Sequence, residues 1–305
     1  MSFDAESALL PNEPRVVDAP RQHALSERFL LPARSELETL FRAIRTRLDP
    51  VLSAVQPTKW GKPYPLGQCL EISLAVKREL RLLNPATLAG AAAHGHAALA
   101  GFLQHGGLMH QVWGDLRGEY FQNAFLAGTI YIDVSNDTVV SSKPPVEILP
   151  LAETRFVPVA DFQHFARIAS RYWRATLHAN HLLPALAPYY PFIAVIPGAG
   201  IRLEADSGYM VMLAQRLAFS SSLAVLDSTP LDVALFDRLA DRLVHASPAA
   251  THNIAATPVA DRVAAILNCK AYANGLQILT DLRRVELGAA IAHVNRCWAG
   301  LGEMV

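Results

Sequence analysis

The chain has 305 residues, half of them apolar and under a fifth charged, so it can bury a sizeable core as one large domain or two. Its 27 basic and 27 acidic residues cancel, which argues against a nucleic-acid or anionic-lipid partner. Three scattered cysteines, Cys69, Cys269 and Cys297, exclude a disulfide framework and a paired-cysteine zinc site, and they fit a reducing compartment.

In chain order, residues 1–32 read as an irregular arm, with prolines at 11, 14, 20 and 32 and no secretory-signal pattern. "ARSELETLFRAIRTRLDPVLSAV" reads as a helix with Ser35 as N-cap, Glu38 three residues on, and an apolar stripe of Leu37, Leu40, Phe41, Ile44 and Leu48. "QPTKWGKPYPLG" is a loop. A second helix starts at Cys69, where Cys69, Ile72, Val76, Leu80 and Leu83 share one face. Residues 84–107 are rich in Ala, Gly and His and can be helical.

From Leu108 the period shortens to that of strands. "LMHQVWG", "YFQNAFL" and "TIYIDVS" are separated by glycine turns, and the last two form a hairpin about Ala127–Gly128. Beyond residue 150 strand signals nearly vanish and helical patterns dominate. "HANH" has helical spacing, and "IPGAG" reads as the end of a helix. The layout is α+β over residues 33–150, then a mostly helical region over 151–305. The most apolar stretch, Leu182–Gly200, is broken by prolines and does not read as a membrane span. A cytoplasmic location is expected.

Cys69 carries the chemical question. A cysteine on a buried face is by default a core residue. A thiol at a helix N-terminus instead meets unpaired N–H groups and the positive end of the helix dipole, and both favour thiolate. On that ground Cys69 is expected to be the most reactive of the three thiols. "HGH" (His94–His96) suits a metal only if extended, and a histidine-based metal site is kept as an alternative function.

The segments "GQC" (Gly67–Cys69), "NAF" (Asn123–Phe125) and "GTIYIDVSN" (Gly128–Asn136) occur in an order that resembles the transglutaminase-like branch of the papain-like cysteine superfamily, over about residues 60–140. The resemblance implies a cysteine helix packed on a small antiparallel sheet, with Cys69 as nucleophile and Asp133 orienting the base. It also implies cysteine-dependent acyl chemistry on an amide or thioester, by hydrolysis or transfer to an amine. No cofactor is implied, and the substrate is a small-molecule or peptide acyl group, carrier-bound in one version. The chain departs from the pattern at Asn123, where the family has histidine. An amide cannot take a proton near neutral pH. His110 on the adjacent strand is the candidate replacement base. Gln68, Gln122, Asn123, Trp60 and Trp113 are the candidate substrate-contacting residues. The rival reading is a catalytically silent binding module of the same fold.

Overall fold

The computed structural model describes residues 8–204, 207–228, 233–245, 261–277, 281–299 and 301. The chain divides into two units, Met1–Pro158 and Val159–Val305.

The first unit begins with α1 (Ala19–Leu25), which runs on as a π-helical turn over Ser26–Leu30. The expected irregular arm therefore ends at residue 18. Pro20 lies in the first turn of α1, where its missing N–H costs nothing. It starts the helix rather than breaking it. α2 (Arg34–Val55) follows without a side-chain cap, because the chain enters it from this helical turn. Ser35 already lies inside the helix, and its hydroxyl donates to Glu36 rather than capping the end.

A small hairpin of β1 (Thr58–Lys59) and β2 (Lys62–Pro63) leads to α3 (Cys69–Leu82) and α4 (Gly90–Gln104). Then come β3 (Met109–Leu116), β4 (Tyr120–Ala127), β5 (Ile130–Asp133), β6 (Glu147–Pro150), the single turn α5 (Leu151–Thr154) and β7 (Phe156–Val157). These strands form one antiparallel sheet in the order β6-β5-β4-β3-β7.

The main core lies between helices and sheet. Leu37, Leu40, Phe41 and Ile44 of α2, Ile72 and Val76 of α3, and Leu99 and Phe102 of α4 pack on Phe125, Ala127, Ile130, Ile132 and Val134. Strand alternation puts those five on one face. The three expected strands and the hairpin, whose last pair is Ala127↔Ile130, are present. The expected border at 150/151 falls short, because β7 pairs with β3 at Leu116↔Phe156 and so belongs to the first unit.

The second unit holds α6 (Phe162–Tyr172), β8 (Thr176–Ala179), β9 (Phe192–Ile196), β10 (Gly200–Glu204), α7 (Ser207–Arg216), α8 (Ser220–Leu226), α9 (Val233–His245), α10 (Arg262–Ala273) and α11 (Asp281–Trp298). Its strands form an antiparallel sheet in the order β10-β9-β8. The region is thus not helical throughout. "HANH" begins on β8, and "IPGAG" makes the β9–β10 turn. "FIAVI" is a short apolar run flanked by turn residues, a pattern that suits a buried strand as well as a helix. Among the described residues no single helix is long and apolar enough to cross a membrane.

Candidate functional site

Cys69 is placed by the loop before it. Gly67 adopts φ 75°, a conformation that only glycine takes without strain, and its N–H donates to the Thr138 carbonyl at 2.8 Å. Gln68 is buried, and its Nε2 donates to the Gln56 carbonyl at 2.9 Å. It serves the loop and is not presented to a ligand. The Gln68 carbonyl accepts from the Ile72 N–H, so α3 begins with Cys69 in its first turn, half-buried.

What Cys69 meets there follows from the sheet. β5 pairs with β4 as far as Phe125↔Ile132. The next pair of that kind would join Asn123 to Val134. The chain leaves the ladder instead, because the Val134 carbonyl accepts from the Arg45 guanidinium. Arg45 is buried and also binds Asp137 at 3.0 Å and Asp49 at 2.8 Å. Burial opposes its charge, and the hydrogen bonds it donates to the two carboxylates outweigh that and hold the guanidinium above its usual range.

On its β5 side the main chain of Asn123 is therefore left without a strand partner, and α3 supplies one. Ser73 and Ser135 hydroxyls each donate to the Asn123 carbonyl at 3.2 Å. The Cys69 sulfur accepts from the Asn123 main chain and from its side-chain amide, Nδ2 to Sγ being 3.5 Å. Cys69 and Ser73, four residues apart, clasp the edge that β5 vacates. Ser73 was not among the sequence candidates, although its spacing from Cys69 was the available signal.

The thiol is pushed up from its ordinary value. Burial is the largest cause, and the Asp133 charge adds to it. The Asn123 hydrogen bonds and the Lys59 ammonium act the other way without prevailing.

His110 is not brought to Cys69. The register pairs Trp113 with Asn123 and His110 with Leu126, so on β3 and β4 alike the two lie on opposite faces. His110 meets the main chain of Glu13 in the N-terminal segment, its Nε2 is buried without a partner, and burial pulls it below its usual range. The expectation that it pairs with the thiol fails on strand parity.

Asp133 shares the face of Gln122, whose Nε2 donates to it at 2.7 Å. Tyr131 hydroxyl, Ser135 N–H and Ser135 hydroxyl donate to the same carboxylate. Asp133 is 0 % exposed, and burial lifts its carboxyl to about 6. It faces Gln122 and not Asn123, and acts on Cys69 only through its charge. Trp113 is buried and stacks on Phe121, a core contact. Trp60 is half-buried at the tip of the β1–β2 hairpin, with the Lys59 ammonium 5.4 Å from its ring and 2.7 Å from Glu71.

No protein-family model, curated protein or solved structure matches the chain.

The arrangement joins a thiol to an amide, Cys69 to Asn123, while the buried Asp133 carboxyl is held by Gln122 on the other face of the sheet. It has donors aimed at the sulfur and no imidazole bonded to it. Such a set holds a neutral thiol in place at pH 7. Of the sequence candidates, Cys69 and Asn123 meet directly and Gln122 and Asp133 meet directly. Trp113 is the cross-strand neighbour of Asn123, and His110 stands apart from Cys69 and Asn123 on the other face.

Proposed function

We propose that the first unit is a binding module on a transglutaminase-like framework, in which Cys69 is not used for thiolate chemistry at neutral pH. The observation that carries this reading is the Asn123 amide on Cys69 Sγ, where catalysis needs an imidazole. The raised thiol and the placement of His110 on the other face support it. A peptide or small-molecule acyl group is the ligand class this framework suits, and Trp60 is the half-buried aromatic at hand for it. A second reading, cysteine-dependent acyl transfer or hydrolysis, draws on the place of Cys69 at a helix start.

Alkylation of Cys69 across pH separates the two, followed by peptide mass mapping on the native protein. The binding reading expects an apparent pKa at or above the free-thiol value of about 8.5. It also expects an unchanged profile in His110→Ala. A profile centred well below that value, or one that moves up in His110→Ala, would overturn it in favour of acyl chemistry.

A further inference from the structure

We propose that the cavity between the segment before α1 and the start of β3 binds a small neutral phenol or alcohol, an apolar body whose one hydroxyl donates to His110 Nε2. The cavity measures about 260 Å³. The segment supplies Leu9, Val16 and Val17 to its wall, and the start of the strand supplies Leu108, Met109 and His110. Gln22 and Gly128 also line it. Val17 and Leu108 are exposed, so the wall reaches the surface and a ligand can enter. His110 lies on the face of β3 away from Asn123, which separates this cavity from the Cys69–Asn123 pair.

The two polar side chains of the wall leave one demand open. Gln22 is buried and spends both ends of its amide on main chain, donating to the Gly106 carbonyl at 3.2 Å and accepting from the Leu108 N–H at 2.9 Å. The His110 ring bonds the Glu13 main chain, a contact that favours a proton on the ring. Among the described residues Nε2 is buried without a partner, so that proton sits on Nδ1 and Nε2 keeps its lone pair. Burial holds the imidazole neutral at pH 7. The open demand is therefore for one donor. A charged ligand does not suit it, because no lining side chain offsets a charge. Water suits it poorly, since a held water takes about three polar partners and the lining side chains leave it one. An O–H on an apolar body donates to Nε2 and sets carbon against Leu9, Val16 and Met109. An apolar cavity of about 150 Å³ takes benzene. One of about 260 Å³ takes a ring with a short alkyl chain.

The probes are 4-ethylphenol and ethylbenzene, alike except for the hydroxyl, each titrated into the full chain by calorimetry. 4-Ethylphenol should saturate one site per chain and bind about tenfold tighter than ethylbenzene, the worth of one buried hydrogen bond. His110→Phe keeps a ring and removes the acceptor, so it should lose the preference. Val17→Trp fills the exposed side of the cavity and should abolish both titrations. No saturable binding of 4-ethylphenol, or equal affinity of the native chain for the two probes, would overturn the proposal. So would a preference that survives in His110→Phe, or a titration that persists in Val17→Trp. Circular dichroism of each variant confirms that a lost titration is not a lost fold.

Discussion

Asp133 gives the sharpest pH prediction at the scale of single residues. Unfolded, an aspartate titrates near about 3.9. Folded, its carboxyl is raised to about 6, so the folded chain binds that proton more tightly. The favourable contribution is therefore complete below about pH 4 and is lost as pH rises through about 6. A difference of about two pH units corresponds to a loss on the order of 3 kcal/mol. Asp133→Asn removes the titrating group, and its stability should change less between about pH 4 and 6 than that of the native chain. Urea unfolding at a series of pH values measures this, and parallel curves would refute it. The site was legible in part. A glycine two residues before a cysteine read as the helix start at Cys69, and Asp133 was legible as a residue of the second hairpin strand. Their facing was not legible, because all eight residues of β4 are buried. A strand covered on both sides carries no polar alternation to say which parity meets the helices. His110 was misplaced for that reason.

At the scale of elements, Gly95 decides how close α4 comes to α2. A Cβ there would lie 2.3 Å from the Glu36 carbonyl oxygen, so the two backbones touch where "HGH" places its glycine. His94 is exposed and His96 is half-buried, one on either side of the contact. Gly95→Ala should cost about 1–3 kcal/mol through overpacking and lower the melting temperature, read by thermal unfolding. Gly118→Ala meets no such neighbour, though its φ of 71° adds backbone strain, and it serves as the control for a steric cause. The elements most easily read from sequence were those whose period is sustained over many residues, α2, α3 and the β3–β5 meander. Those missed were short or began with proline. α1 carries in its first turn a proline that resembles a breaker, and β8–β10 are four or five residues each.

At the scale of the molecule, the division after Pro158 predicts where the chain can be cut. A fragment of residues 1–158 keeps all five strands of the first sheet and the whole α2–α4 core. It should unfold in one cooperative transition. A fragment ending at residue 150 loses β7 and the buried Phe156, whose ring lies 5.1 Å from that of Tyr131. It should unfold at lower denaturant by chemical denaturation. Equal midpoints would place the border where the composition alone suggested.

The segment that precedes α1 has a role beyond contact with His110. β7 covers β3 only at Asp115 and Leu116, and nearer the start of that strand the Trp113 N–H donates to the Asn12 carbonyl at 2.8 Å. Pro14 lies beside Gly114 on the same margin. A strand with free N–H and C=O groups is a template for a strand from another molecule. Asn12 and Pro14 occupy that template with a carbonyl and a residue that has no N–H to offer. The opening stretch of the chain is in this sense a guard against self-association, keeping the sheet from growing sideways into a neighbour.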